Sequence, residues 1–289
     1  MMKNRRTVVD SSRSPTPHDI CIHPWKYKLG PFRIANNLYY VGNSDVSSHL
    51  IDTGEGLILL DTTFPQTVYL VLESIRRLGF DPDDIRYILH SHGHYDHFGG
   101  TKAIVELTGA MTALGKEDIP ILADRPELSW APEYGVSFYE TFHVDKALSD
   151  GDTISLGNTT VECVHTPGHT AGAMSYFFNI SYRGRDYTVA NHGGPGLNTL
   201  SDGYLNQHGL PSGVRQDYLN SLRRLKERTV DIFIGIHPGQ NDTISKSMRI
   251  AENENPFIDS QAWPTFLQIL EQNFTKAFLT TTDQLGLSL

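Results

Sequence analysis

The stretch that decides the fold is His90-Ser91-His92-Gly93-His94-Tyr95-Asp96-His97, which holds four of the chain's 13 histidines and one carboxylate. Upstream, Asp84-Ile85-Arg86-Tyr87-Ile88-Leu89 is short, β-branched and apolar, and predicts a buried strand. Downstream, Phe98-Gly99-Gly100-Thr101 leads into Lys102-Ala103-Ile104-Val105-Glu106-Leu107, which has the spacing of an amphipathic helix. The cluster therefore lies on a loop between a strand end and a helix start. A rigid scaffold commonly presents catalytic groups at such a place.

The spacing makes chemical sense. Imidazole nitrogen and carboxylate oxygen are donors that zinc accepts at about 2.0–2.2 Å. His92 and His94 are two residues apart, so an extended chain points them the same way. Asp96 and His97 are adjacent, and in a tight turn they face a second point nearby. One loop can thus begin two metal sites. A lone histidine is more often an ordinary core or surface residue; the His-x-His-x-Asp-His spacing sets this cluster apart. His90 falls outside the spacing and reads as the last strand residue.

Two later stretches repeat one device, a histidine displayed where a strand stops and Pro-Gly turns the chain. After a strand over 159–165 comes Thr166-Pro167-Gly168-His169-Thr170. His169 beside His92 and His94 makes a three-imidazole site with one position open, the pattern of a catalytic zinc. After the apolar run 230–236 comes His237-Pro238-Gly239. His237 fits as the third donor for Asp96 and His97.

The 289 residues are 39% hydrophobic and 20% charged, ample for a sizeable core. A flexible tail over 1–22 and a single domain over 23–289 are expected. The net charge is −9 and no Lys/Arg run exceeds a pair, so neither nucleic acid nor an anionic membrane is an expected partner. No apolar window approaches the length of a spanning helix. The N-terminal stretch lacks the apolar centre of a secretory signal, which predicts a cytoplasmic location, or a periplasmic or secreted one if the true N-terminus is missing. Cys21 and Cys163 are expected to stay reduced, Cys163 as a small core residue; a bridge between them is left open. The oligomeric state is not legible.

Strands are expected over 32–35, 38–42, 47–51 and 57–60, with a hairpin turn at Asp52-Thr53-Gly54-Glu55-Gly56. Asp61-Thr62-Thr63 ends that hairpin. A helix over 67–78 opens at Pro65 and stops at Gly79. A strand is expected over 108–114. Residues 115–142 read as irregular and aromatic, with Trp130, Tyr134, Phe138 and Tyr139. Trp130 and Tyr134 can wall a substrate pocket, or simply pack the loop onto the core. Strands over 153–156, 172–180 and 186–190 follow, the last ending in Asn191-His192-Gly193-Gly194. Helices are expected over 214–228 and 261–278, the latter with a core-facing stripe that includes Trp263, Phe266, Leu270 and Phe274.

Five stretches together resemble the metallo-β-lactamase superfamily, and within it the B3 subclass of zinc β-lactamases. They are Pro31-Phe32-Arg33-Ile34-Ala35-Asn36-Asn37-Leu38-Tyr39-Tyr40-Val41-Gly42, Leu59-Leu60-Asp61-Thr62, the run from Ser91 to Gly100, Asp150-Gly151-Asp152, and the run from His165 to Thr170. The similarity runs from about Trp25 to the His237 loop. It implies an α/β fold, an αβ/βα four-layer sandwich with mixed sheets and a dinuclear site at one edge. One zinc ion would take His92, His94 and His169, the other Asp96, His97 and His237, with Asp61 just behind. It implies opening of a β-lactam ring, a small-molecule substrate, by a metal-bound hydroxide that Asp96 orients, and hence antibiotic resistance.

Two departures qualify the resemblance. Many hydrolases of the superfamily place a metal-bridging aspartate where this chain reads Ala190-Asn191-His192-Gly193-Gly194. That argues against the thioesterase and lactonase branches. The B3 relatives tend to carry a serine-bearing loop there that meets substrate. Asn191 and His192 thus become candidate substrate contacts, and His192 a candidate catalytic residue. The second departure is the missing signal segment. It keeps open a cytoplasmic metallo-hydrolase of a lactone, thioester or phosphoester. An iron-loaded oxygen enzyme is disfavoured because the flavin-binding partner domain is absent. A non-enzymatic binding module is disfavoured because all six candidate ligands are present.

Overall fold

Short apolar runs near the N-terminus pair with one another in sequence order. The computed structural model describes residues 17–138, 141–251 and 254–279. After a single helical turn, α1 (Asp19–Ile22), the chain enters a meander of four strands: β1 (Phe32–Ala35), β2 (Leu38–Tyr40), β3 (His49–Asp52) and β4 (Leu57–Leu60). These pair antiparallel, Leu50 opposite Leu59 and Ile51 opposite Ile58. Parallel neighbours need a crossover, and helices supply it here. α2 (Val68–Arg77) leads to β5 (Ile85–Leu89); the single turn α3 (Tyr95–Phe98) and α4 (Thr101–Thr108) lead to β6 (Met111–Gly115); and β7 (Lys146–Leu148) closes a 7-stranded sheet ordered β1 to β7.

The second sheet is built from β8 (Thr153–Leu156), β9 (Thr159–His165), β10 (Met174–Tyr182), β11 (Arg185–Asn191) and β12 (Ile232–Ile234), in the order β12-β11-β10-β9-β8. β12 alone is parallel to its neighbour, reached through α5 (Asp202–His208) and α6 (Val214–Lys226). α7 (Thr243–Met248) and α8 (Ala262–Phe278) complete the chain.

Alternation along the strands makes the layers. Ile51, Ile58 and Leu60 face Cys163, Tyr176, Phe178 and Val189 of the second sheet, forming a core between the sheets. Leu50, Leu57 and Leu59 face the other way, against Val71, Leu72 and Ile75 of α2 and Ile104 of α4. On the outer face of the second sheet, Phe177, Ala190 and Phe233 meet Leu222 of α6 and Trp263, Leu267 and Phe274 of α8. The result is the expected αβ/βα sandwich.

Several expectations shift. Thr108 ends α4 rather than opening a strand, because Gly109 adopts a left-handed conformation (φ 68°) that caps the helix; β6 starts at Met111. β7 and α5 were not expected. The first is three residues long, and the second buries only Tyr204 and Leu205, so neither leaves a period in the sequence. Part of the stretch read as tail, Asp19–Ile22, is helical, with Ile20 fully buried beside Phe64 and Tyr95. Residues 1–16 and Tyr139 lie outside the described residues. Both cysteines are free, Cys163 in the core between the sheets and Cys21 half-buried. No helix among the described residues is long and apolar enough to cross a membrane.

Candidate metal centre and active-site cavity

Three strands end where the donor groups begin. β5 stops at Leu89 and releases the loop that carries His92 and His94; α3 then carries Asp96 and His97. β9 stops at His165, and the turn after it displays His169. Gly168 makes that turn possible. Its φ is +142°, and a Cβ there would lie 2.6 Å from the Tyr218 side chain. β12 stops at Ile234, and His237 follows two residues after Gly235.

The six expected ligands gather into two groups. His92, His94 and His169 offer nitrogens all within 4.8 Å of one another; Asp96, His97 and His237 offer a carboxylate oxygen and two nitrogens within the same limit. The His92 ring centroid lies 4.3 Å from that of His97, so the two groups are neighbours.

Hydrogen bonds set the tautomers of four histidines. His97 Nδ1 donates to Asp61 Oδ2 at 2.8 Å, His169 Nδ1 to the Gly196 carbonyl at 2.9 Å, and His237 Nδ1 to the Asp45 carbonyl at 2.8 Å. Ser91 Oγ donates to Asp61 Oδ2 at 2.7 Å, which leaves it to accept from His92 Nδ1 at 3.0 Å. In each ring Nε2 is left to face the site. This is the arrangement in which an outer partner fixes a metal-binding imidazole. Asp61 also accepts from the Ser91 backbone N–H at 2.7 Å, so one carboxylate orients a donor in each group.

A cation fits this donor set. His92 Nε2 is buried without a hydrogen-bond partner, a costly state for a polar atom unless something else satisfies it. His94 Nδ1 faces His169 Nε2 at 3.1 Å. Burial, then the neighbouring histidines, hold His92 and His94 well below the usual imidazole range; burial holds His169 down at about 4. All three are neutral at neutral pH, as metal ligands must be. In the second group Asp96 Oδ2 lies 3.2 Å from His97 Nε2 and 3.4 Å from His237 Nε2. Burial opposes ionisation of Asp96, but His97 and His237 hold its carboxyl well below the usual carboxylate range. Burial likewise opposes a charged His97, yet Asp96 and Asp61 raise it to about 10.

A cavity of about 230 Å³ opens over both groups. Trp130 and Tyr134 line it, with Asn198, Gln240, Phe266 and Leu270. The Trp130 ring lies 5.7 Å from that of His94. Among the described residues that line it, none is a lysine or arginine.

Two expectations are corrected. Neither Asn191 nor His192 lines the cavity. Asn191 is buried at the end of β11, its amide donating to the Ile234 carbonyl across to β12. His192 lies behind Phe266, its ring edge-on to Phe266 at 5.7 Å and tilted against Trp263 at 6.1 Å, while its Nδ1 accepts the Gly194 N–H. Burial holds it down at about 3, as a neutral core ring. The strand ends one residue before His192 and the aromatic face of α8 takes the ring in, which no local pattern announces.

Asp118 was not expected at the site. Its carboxylate accepts from Gly93 N (2.8 Å), Thr170 Oγ1 (2.6 Å) and Gly172 N (2.6 Å). It thereby ties the His92-Gly93-His94 loop to the His169 loop. Gly93 makes the approach possible, since a Cβ there would lie 2.8 Å from Ile121 and 3.2 Å from Asp118.

Comparison with known proteins agrees with this geometry. The family model described as "Metallo-beta-lactamase superfamily" matches residues 41–237. The chain resembles BJP-1, a subclass B3 metallo-beta-lactamase of Bradyrhizobium japonicum, with a TM-score of 0.80 and 30% identity, covering 92% of this chain and 99% of that one. It resembles LRA-12, a class B3 di-zinc metallo-beta-lactamase from an Alaskan soil metagenome, with a TM-score of 0.76 and 30% identity over 88% and 96% of the two chains. Among curated relatives, an N-acyl homoserine lactonase of Bacillus thuringiensis is 28% identical over 167 residues, 49% of this chain and 61% of the relative. The chain thus spans about three fifths of that relative's length.

Proposed function

The chain belongs to the metallo-beta-lactamase superfamily and is a hydrolase; on that premise we propose that it binds two zinc ions and opens a cyclic amide, the β-lactam ring. The observation that carries the reading is the pair of three-donor groups at the floor of one cavity. The likeness to B3 enzymes over nearly their whole length supports the β-lactam assignment.

His92, His94 and His169 would hold one ion, and Asp96, His97 and His237 the other. Zinc bound there would act as a Lewis acid and bring the pKa of a water to about 7. The chain's own residues do the rest. Asp96, ionised at neutral pH, would orient the attacking water. Asp61 and Ser91 keep His97 and His92 in the binding tautomer. Trp130, Tyr134 and Phe266 wall the substrate and limit bulk water at the scissile carbonyl. Asn198 and Gln240 are the uncharged polar groups available to hydrogen-bond it. No side-chain nucleophile is required, and His192 takes no part.

One observation favours a second reading, hydrolysis of a neutral lactone. Among the described residues, the cavity presents no lysine or arginine to the carboxylate that β-lactam antibiotics carry. The lactonase relatives point the same way.

Metal analysis of the purified protein, followed by turnover of a chromogenic cephalosporin, a lactone and a phosphodiester, tests both. Two zinc ions per chain with cephalosporin turnover is the expected result. Zinc-loaded protein that turns over only the lactone overturns the β-lactam reading and leaves the hydrolase.

A further inference from the structure

Gln240 ends the short turn Pro238–Gln240 that follows the donor His237. Its side chain folds back, and Oε1 accepts the Ile236 N–H at 2.9 Å. Gly235 leaves room for this, since a Cβ there would lie 2.8 Å from Gln240 Cβ and 2.9 Å from Oε1. The contact also settles which end of the amide is which. A backbone N–H only donates, so the atom facing it is the oxygen, and the NH₂ is the end left over. Nε2 has no hydrogen-bond partner among the described residues. The turn itself is pinned. Ile236 is buried, its carbonyl accepts the Ser47 N–H at 2.9 Å, and the Gln240 N–H donates to the His237 carbonyl at 3.1 Å. Gln240 therefore offers a bound molecule a donor and no free acceptor, and it is held in place before that molecule arrives.

Its place says which part of a substrate it meets. The two three-donor groups form the floor of the cavity. Gln240 and Phe266 line both this cavity and a second one at the surface, so they stand in the wall between the two. A ring whose scissile bond lies over the floor turns its substituents toward the wall. We propose that Gln240 is a specificity-determining residue, whose Nε2 donates to a carbonyl or carboxylate oxygen carried on a substituent of the substrate ring. The inference rests on the hydrolase reading above and names one contact within it. Because the donor is uncharged, it selects for an acceptor rather than for a charge.

The test compares two pairs of compounds on the zinc-loaded full chain. One pair is a bicyclic β-lactam with and without a ring methyl ester, the other a lactone with and without the same ester. The ester is used because a free carboxylate would also be drawn to zinc. The natural chain should favour the ester-bearing member of each pair by about fivefold in KM, the worth of one uncharged hydrogen bond. Gln240→Glu keeps an oxygen for the Ile236 N–H but loses the donor; Gln240→Met loses both. Each variant should abolish the preference, and Gln240→Glu carries the test alone if Gln240→Met fails to fold. Calorimetric titration with pyrrolidinone and its ring methyl ester, whose unstrained lactam resists opening, reads the same contact without turnover. An ester preference in binding that both variants abolish supports the assignment even if neither nucleus is hydrolysed, in which case only the catalytic reading fails. A natural chain without the preference, or a kcat loss shared by every compound, overturns it. So does a preference that survives in Gln240→Glu, or one lost only in step with zinc affinity, since either would make Gln240 no more than a cap for the His237 turn.

Discussion

Asp61 Oδ2 lies 2.8 Å from His97 Nδ1, both side chains fully buried, and the same oxygen accepts the Ser91 hydroxyl that orients His92. The two metal-facing groups therefore share one orienting carboxylate. Asp61 sits at φ 57°, a region asparagine tolerates well, so Asp61→Asn preserves the backbone while removing the charge and one acceptor. Outer partners of this kind are worth about 10- to 100-fold in metal affinity. Competition with a chromogenic chelator should show zinc affinity reduced by that factor, and activity at limiting zinc should fall with it. Unchanged affinity would mean that His92 and His97 hold their tautomers without Asp61.

Asp118 works on the loops rather than on the rings. Burial pushes its carboxyl up, and the bonds from Thr170, Gly172 and Gly93 pull the other way. In Asp118→Asn the amide must turn its NH₂ toward at least one of these three donors. A buried donor left unpaired costs about 1–3 kcal/mol. Denaturant unfolding should register that loss in the metal-free protein, and zinc affinity of the His92, His94 and His169 group should drop with it, since both of its loops lose their tie. A variant with full stability and full affinity would refute the clamp.

Much of this architecture was legible before any coordinates. The strands and the two long helices follow from runs such as Leu57–Leu60 and from stripes such as Trp263, Phe266, Leu270 and Phe274, because burial of one face imposes a period. The six donors were legible because each group sits where an apolar strand meets a turn residue. Asp118, Asn198 and Gln240 were not. Each acts across the fold, Asp118 on Gly93 and on Gly172, which lie 25 and 54 residues away, and sequence proximity carries no trace of such contacts. His192 misled for the converse reason. A histidine beside a glycine-rich turn resembles a displayed ligand until α8 is seen to cover it.

Metal removal gives a direct measure of the two groups. Zinc at a hundred times its dissociation constant stabilises the folded chain by about 2.7 kcal/mol per site. At about 2–4 °C per kcal/mol for a chain of this order, each occupied site should raise the melting temperature by about 5–11 °C. Dialysis against a chelator should abolish turnover and lower the midpoint by that amount or twice it, and readded zinc should restore both. A midpoint indifferent to chelator would contradict zinc binding by the folded chain.

His49 offers a pH prediction away from the donors. It lies buried on β3, its ring edge-on to Tyr40 at 5.4 Å, with Nε2 unpartnered. Burial lowers its pKa from 6.5 to about 3. The folded protein thus resists a proton that the unfolded chain accepts below 6.5. The sign follows: stability is full above pH 6.5 and is lost as pH falls toward 3, by about 1.4 kcal/mol per pH unit from this residue. His49→Leu removes both the titration and the unpartnered nitrogen at similar volume. Denaturant unfolding in chelator, across that pH window, should show a slope shallower by about 1.4 kcal/mol per unit in the variant. Parallel slopes for the two chains would show that His49 takes up its proton in the folded state as readily as in the unfolded one.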